Sequence, residues 1–296
     1  MNTKKLVSSS LLFVTACIWG VAFVAQSMGM DHIGPFTFNF VRTLIGAIVL
    51  IPVIFLFSDK KLEQSEEEKK SYRYHTWVGG ICCGVALCIA TSFQQFGIMY
   101  TTVGKAGFIT ALYIIIVPIL GLFLKKKVRL LIWISAGIAV VGFYLLCVMG
   151  QFELNIGDLL ILICALVFSI HILIIDYFSP RGNGVQISAI QFAVTAFLCG
   201  IGALIFETIV WEDICNAWLP ILYAGVMSCG VAYTLQIIGQ KNTEPAVASL
   251  ILSLEAVVSV IAGAIILHER MSVQELVGCG LVFLAIILAQ LPEKKA

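Results

Sequence analysis

Ten stretches of about 20 mostly apolar residues follow one another along the chain, and this pattern restricts its fold more than any other feature. A helix rises about 1.5 Å per residue, so about 20 apolar residues cross the hydrocarbon core of a bilayer. The stretches lie at about 6–29, 35–57, 77–100, 104–124, 130–149, 157–177, 186–208, 218–239, 245–267 and 273–291. The first is too long for a signal peptide, and no small-residue cleavage site precedes Asp31. The sequence predicts an all-α integral membrane protein with ten transmembrane helices.

Composition excludes several other classes of protein. Of the 296 residues, 60% are hydrophobic and 12% are charged, whereas about 25% of an ordinary soluble domain is charged. The 18 basic residues are balanced by 17 acidic ones, so neither a nucleic-acid partner nor a disordered chain is expected. Nine of the ten cysteines lie in apolar stretches and Cys215 lies in a polar one. Because they show no metal-ligand spacing, we expect no disulfide, metal or cofactor.

The basic residues predict the orientation of the helices. Cytoplasmic loops of membrane proteins carry an excess of Lys and Arg. If the N-terminus is cytoplasmic, 15 of the 18 basic residues fall on the cytoplasmic side. These are Lys4, Lys5, Lys60, Lys61, Lys69, Lys70, Arg73, Lys125, Lys126, Lys127, Arg129, Arg181, Lys241, Lys294 and Lys295. Both termini are therefore predicted to be cytoplasmic.

The second half of the chain repeats the pattern of the first. Gln94-x-x-Gly97, Ala106 and Phe108 align with Gln236-x-x-Gly239, Ala248 and Leu250 at a constant offset of 142 residues. We therefore divide the chain into two five-helix repeats, 1–150 and 151–296. Because five is odd, the repeats have opposite orientations, a common design of secondary transporters. The charged stretch 58–75 is interpreted as a solvated loop, and 150–157 as the connection between the halves.

Several short motifs resemble the EamA-type transporters of the drug/metabolite transporter superfamily. They are Ala16-x-x-Trp19-Gly20-x-x-Phe23, Pro35-Phe36-x-x-Asn39-Phe40-x-Arg42, the run Gly104–Tyr113 closed by Pro118, Ser253-Leu254-Glu255, and His268-Glu269-Arg270 with Gly278. The resemblance covers essentially the whole chain. It implies a gradient-driven carrier of small metabolites, often an exporter, in the bacterial cytoplasmic membrane, with a central cavity between the halves. Family members usually have proline after the Glu255 position, whereas this chain has Ala256 and so lacks the usual cause of a kink in span nine.

Glu255 is the sharpest functional candidate. It lies about 16 Å into span nine, near the middle of the bilayer. Ionisable groups at this depth cost about 2.5–3.5 kcal/mol on insertion scales, which makes each one a hypothesis about function. A carboxyl group in such surroundings favours its neutral form and can exchange a proton or bind an amine. The alternative is a structural hydrogen bond to a neighbouring helix.

Two further ionisable side chains lie within spans. Arg42, about 10 Å from the outer end of span two, can hold a substrate carboxylate or instead snorkel outward or bind a carbonyl group. His171 in span six can relay protons, or serve as a hydrogen-bonded interior histidine. Glu255 and His171 are thus the proton-coupling candidates. Pro118 can either break span four or introduce a packing kink.

Aromatic and amide side chains complete the predicted substrate site. Trp19 and Tyr113 lie too deep for the aromatic belts of the membrane interface. Gln94 and Gln236 are repeat partners that can contact substrate or join helices. The full set of candidate cavity residues is Trp19, Phe23, Asn39, Arg42, Gln94, Tyr113, His171, Tyr233, Gln236 and Glu255.

The charges within the spans favour one class of solute over others. A carrier of phosphorylated substrates needs several buried cations, whereas Arg42 alone lies clearly inside a span. Amino acids or related zwitterionic or neutral solutes fit better. The alternatives are an uncoupled facilitator, a multidrug exporter or a passive channel; a membrane enzyme is not expected, because no catalytic constellation is present. Since both repeats lie in one chain, we expect a functional monomer.

Overall fold

The chain forms a bundle of helices. The computed structural model describes residues 3–56, 65–126, 128–147, 155–266 and 273–291, and their regular structure is entirely helical. The helices before residue 150 are α1 (Thr3–Met30), α2 (Pro35–Leu56), α3 (Glu66–Ile98), α4 (Val103–Ala111), α5 (Tyr113–Phe123) and α6 (Leu130–Cys147). Those after it are α7 (Ile156–Phe178), α8 (Gly184–Phe206), α9 (Trp211–Asn216), α10 (Trp218–Leu222), a π-helix (Tyr223–Tyr233), α11 (Thr234–Gln240), α12 (Pro245–Leu252), α13 (Leu254–Ile266) and α14 (Val273–Gln290).

Eight segments of the described chain are long and apolar enough to cross a membrane. Three of them consist of consecutive shorter helices: α4 with α5, α10 with the π-helix and α11, and α12 with α13. Two additional apolar helices, Leu130–Leu145 and Leu276–Ala289, are shorter. The chain is therefore a multi-pass membrane protein. The predicted spans 157–177 and 186–208 differ from α7 and α8 by two residues or fewer at each end.

The prediction of a loop over 58–75 is wrong for its second part. Helix α3 begins at Glu66 and continues without interruption into the apolar span. The Ser65 hydroxyl accepts a hydrogen bond from the Glu68 backbone N–H, and the Glu68 carboxylate accepts one from the Ser65 N–H. This capping box and the acidic first turn stabilise a helix start outside the membrane. The first part of the stretch, 58–64, lies outside the described residues.

Two spans are broken near their middle. In span four the break is at Leu112, between α4 and α5, while Pro118 lies inside α5. In span nine the break is at Ser253, between α12 and α13, although Ala256 stands where family members have proline. The Ser253 hydroxyl donates a hydrogen bond to the Leu250 carbonyl at 2.8 Å, and side chains that bond to the preceding turn bend helices.

Small residues let neighbouring helices approach closely. A Cβ atom on Gly84 would lie 2.7 Å from the Val194 Cβ and 2.8 Å from the Gln191 carbonyl oxygen, so α3 and α8 meet backbone to side chain. A Cβ on Gly20 would lie 2.8 Å from the Glu255 carbonyl oxygen. Such contacts are typical of membrane helix interfaces, where packing replaces the hydrophobic effect. They fix α1 against α13 and thereby position Glu255.

Candidate functional site in the centre of the bundle

A small polar cavity lies in the middle of the bundle and is lined from both halves of the chain. Its volume is about 30 Å³. Its lining residues are Trp19, Phe23, Gln26, Arg42, Gln94, Thr110, Tyr113, Phe168, Ile172, Ser228, Tyr233, Gln236, Leu252 and Glu255. This volume accommodates only one or two water molecules, since a single water needs about 10–15 Å³. The cavity is therefore too small for an amino acid in this conformation.

Glu255 and Tyr113 meet across the cavity. The Tyr113 hydroxyl donates a hydrogen bond of 2.9 Å to Glu255 Oε1, and both side chains are buried. Each lies just after a helix break, Tyr113 as the first residue of α5 and Glu255 as the second residue of α13. The breaks thus place a carboxyl group and a phenol at the same point of the cavity. This pair can bind or release a proton or hold an ammonium group.

Arg42 provides the positive charge of the cavity. It is only 3% exposed, so it does not snorkel to the surface. One guanidinium nitrogen donates a hydrogen bond of 3.0 Å to Gln26 Oε1, and the group lies 5.4 Å from the centre of the Phe38 ring. In the described part of the chain no carboxylate lies within 4.0 Å of it. A buried guanidinium with a neutral partner has donors available for an anionic group.

Two aromatic rings form one wall of the cavity. The Trp19 and Tyr233 rings lie 4.6 Å apart with a tilted geometry, and Tyr233 also packs against Phe192 at 5.6 Å. The indole Nε1 of Trp19 has no hydrogen-bond partner among the described residues. Trp19 can therefore donate a hydrogen bond to a solute while its ring packs against the apolar part of that solute.

Amide and hydroxyl groups supply further polar contacts. Gln94 and Gln236 both line the cavity, and within the described residues Gln236 Oε1 has no partner. Ser228 and Thr110 also line it. The sequence did not single out Ser228, because a lone serine among small apolar residues carries no periodic signal.

The structure places two predicted cavity residues behind the lining. His171 is fully buried, and its Nε2 lies 3.1 Å from Gln191 Oε1. Its ring packs edge-on against Tyr233, so it supports a cavity residue from outside. Asn39 is also fully buried, on the helix that carries Arg42, and does not line the cavity. Phe23 does line it.

A second and much larger cavity opens toward one end of the bundle. This vestibule has a volume of about 1020 Å³. Its lining includes Val117, Leu173 and Gln240, each within about one helical turn of a residue of the central cavity. The Gln240 amide donates a hydrogen bond of 3.2 Å to the Ile172 carbonyl, which joins α11 to α7 between the two cavities. Its charged lining residues are Lys5, Lys126, Arg129, Asp176, Lys241 and Glu244.

At the opposite end of the bundle, an ion pair and several hydrogen bonds join the two halves of the chain. Lys105 forms an ion pair of 2.5 Å with Asp158, which also accepts a hydrogen bond from the Thr101 hydroxyl. Glu207 accepts hydrogen bonds from the backbone N–H groups of Phe36 and Thr37, both at 2.8 Å, and so caps α2. These contacts join helices of the first half to helices of the second half.

Fold and site together define a class: a polytopic α-helical membrane protein with a small polar cavity in its centre and a wide vestibule at one end. In the described residues no group of three or more His, Cys, Asp or Glu side chains could hold a metal ion. The EamA-like transporter family model matches residues 7–148 and again 155–291. The chain belongs to this family, and it is a membrane transporter of small solutes.

Individual proteins show the same relationship along the whole chain. An uncharacterized transporter of Archaeoglobus fulgidus is 31% identical over 98% of this chain and 88% of its own length. The uncharacterized transporter YoaV of Bacillus subtilis is 24% identical over 92% of each chain. A protein crystal structure matches 96% of each chain with a TM-score of 0.78 at 20% identity, which shows the fold.

Proposed function

We propose that the protein is a secondary transporter that moves small zwitterionic or neutral solutes, amino acids first among them, across the bacterial cytoplasmic membrane by alternating access. The observation that carries this proposal is the separation of charges in the central cavity. Arg42 and Glu255 both line it, and within the described residues they form no ion pair with each other. An α-amino acid brings a carboxylate for the first and an ammonium group for the second.

The proposed architecture has ten spans in two inverted repeats, 1–150 and 151–296. The eight long spans and the two shorter apolar helices together make ten. Tyr113 and Glu255, which touch in the centre, are 142 residues apart, and so are Gln94 and Gln236 in the cavity lining. Side chains that are equivalent by an internal two-fold axis meet where that axis passes. The family model also matches the two halves separately.

The proposed direction is export, with both termini cytoplasmic. In that orientation the vestibule faces the cytoplasm, and the pair Lys105–Asp158 lies at the outer surface. Solute then reaches the cavity through the vestibule while the Lys105–Asp158 pair joins the two halves at the outer end. Because the central cavity of about 30 Å³ is smaller than any amino acid, it has to expand when it binds one. Movement of α11 away from the Ile172 carbonyl provides this expansion.

Transport into proteoliposomes tests the proposal. Purified protein is reconstituted, and uptake of a mixture of labelled amino acids is measured with and without an imposed pH gradient. We expect saturable uptake that responds to the gradient. The Glu255→Gln variant keeps the shape of the side chain but cannot lose a proton, so its uptake is expected to become independent of the gradient. Tyr113→Phe is the matched control, because it removes the partner hydroxyl and keeps the carboxyl group.

Each of the competing functions gives a different result in this assay. Saturable uptake that ignores the gradient identifies an uncoupled facilitator. Flux that does not saturate identifies a channel. Uptake of hydrophobic organic cations in place of amino acids identifies a multidrug exporter, which would use Glu255 as the site for the cation. Full, gradient-dependent transport by Glu255→Gln contradicts the proton-coupling role.

A further inference from the structure

The π-helix Tyr223–Tyr233 marks one extra residue in the second half of the chain. In the first half, Gly84 of α3 packs against Val194 and the Gln191 carbonyl of α8. In the second half, Gly225 packs in the same way against Ile45 and the Arg42 carbonyl of α2. The residues contacted on α8 and α2 differ by 149 in both cases, so the two contacts are equivalent.

The residue offset between the two halves changes between this glycine contact and the central cavity. Gly84 and Gly225 are 141 residues apart, whereas Gln94 and Gln236 in the cavity lining are 142 apart. One residue has therefore been added to the second copy between 225 and 236. A residue inserted into an α-helix is absorbed as a π-turn, and such turns occur frequently at functional sites. The π-helix occupies this interval, and it carries Ser228 and Tyr233 of the cavity lining.

Both ends of the π-helix are joined to α1 by side-chain hydrogen bonds. At its start, the Tyr223 hydroxyl donates a hydrogen bond of 3.0 Å to the Ile18 carbonyl. At its end, the Thr15 hydroxyl is shared between the Leu11 carbonyl at 3.0 Å and the Ala232 carbonyl at 3.1 Å. Thr15 is fully buried and does not line the cavity.

The Thr15 contact lies directly behind the aromatic wall. Trp19 follows Thr15 by one helical turn on α1, and Tyr233 follows Ala232 directly in the chain. The hydroxyl therefore fixes the backbone that carries Tyr233 relative to the helix that carries Trp19. These two rings are 4.6 Å apart and form the wall against which a solute packs.

We infer that Thr15 is a positioning residue of the substrate site: it binds the end of the π-helix and thereby sets the spacing of Trp19 and Tyr233. This inference rests on the proposed function, because it assigns the central cavity to the substrate. Thr15 itself touches no solute. Its loss changes how well the site fits a solute and leaves the fold intact.

Thr195 provides a matched control. Its hydroxyl is equally buried and equally shared, between the Gln191 carbonyl of its own helix at 2.8 Å and the Gly84 carbonyl of α3 at 3.0 Å. It joins two regular α-helices and does not line the cavity. Thr→Val at either position removes one interhelical hydrogen bond and keeps the shape of the side chain.

The experiment compares Thr15→Val, Thr15→Ser and Thr195→Val. For amino-acid uptake into proteoliposomes we expect Thr15→Val to raise KM by about three- to tenfold, the range that one interhelical hydrogen bond in a membrane supports. Thr15→Ser restores the KM, and Thr195→Val leaves it unchanged. Equal changes in KM in the two valine variants overturn the inference, because they show a structural role only.

A second readout does not depend on the substrate. Trp19 is kept as the single tryptophan by replacing Trp77, Trp133, Trp211 and Trp218 with Phe, and its fluorescence anisotropy is measured. We expect Thr15→Val to lower the anisotropy and Thr195→Val to leave it unchanged. An unchanged anisotropy in Thr15→Val overturns the inference even if the KM for amino acids rises. Absence of saturable uptake by the wild-type protein refutes the amino-acid substrate, and the anisotropy then still decides the role of Thr15.

Discussion

At the scale of single residues, polarity within an apolar span was the informative signal. Glu255, Arg42, Gln94 and Gln236 stand out in the sequence because each costs free energy in a bilayer, and all four line the central cavity. His171 gives the same signal but lies behind Tyr233. A sequence shows that a polar group in a span needs a hydrogen-bond partner, but it does not show which neighbour provides one.

The first prediction concerns the side chain of Arg42. Replacing it with Gln removes the guanidinium that we assign to the substrate carboxylate. We expect KM for amino acids to rise at least about tenfold, since charged hydrogen bonds contribute about 1.5–3 kcal/mol each. Uptake of amino-acid amides, which have no carboxylate, serves as the control and is expected to change little. An equal loss for acids and amides would place Arg42 in a structural role.

At the scale of helices, the sequence predicted an all-helical membrane protein, eight of whose described segments are long and apolar enough to cross a membrane, but it predicted the interruptions of these segments poorly. Pro118 was considered either as a break of span four or as a packing kink, and it lies inside α5; span nine breaks at Ser253 without a proline. The one-residue π-insertion was also missed, because the apolar pattern of 218–239 looks the same with or without it. Long apolar runs define a span, while its local geometry depends on hydrogen bonds to neighbouring helices.

The break in span nine gives the second prediction. Ser253→Ala removes the hydroxyl that bonds to Leu250 and favours a continuous helix, because Ala has the higher helix propensity. We expect maximal uptake to fall about threefold or more if the break is needed for opening and closing, with no loss of thermal stability. Ser249→Ala removes a similar bond, to Ala246, within α12 and is expected to transport normally. The same rate in both variants would contradict a role for the break.

Close helix contacts give the third prediction. Gly84→Ala forces a Cβ to within 2.7 Å of Val194, and overpacking of this kind costs about 1–3 kcal/mol. Gly137 lies in α6 with nothing within 4 Å of its Cβ position, so Gly137→Ala is expected to stabilise by about 0.5–1 kcal/mol. Thermal unfolding in detergent measures both. Equal unfolding midpoints for the two variants would contradict the prediction, because they would show that α3 and α8 can move apart with no loss of stability.

At the scale of the whole molecule, the positions of the basic residues along the sequence indicate which end of the bundle each of them lies at. The basic residues of the vestibule, Lys5, Lys126, Arg129 and Lys241, all belong to the set assigned to the cytoplasmic side. Lys105, assigned to the outer side, lies at the other end of the bundle with Asp158. The fold could thus be anticipated from hydropathy and charge together. The small volume of the central cavity could not, because it depends on how the two halves are packed in one conformation.

Cysteine labelling in intact cells tests this orientation. Among the nine described cysteines Cys215 is the exposed one, and it lies in α9, on the loop that we assign to the outer surface. We expect a membrane-impermeant maleimide to label the protein through Cys215, and Cys215→Ser to abolish the labelling. Lys241→Cys in the Cys215→Ser background places a thiol at the vestibule and is expected to react only after the cells are permeabilised. Labelling of Lys241→Cys in intact cells would reverse the orientation, so that the vestibule would face outward and load solute from outside.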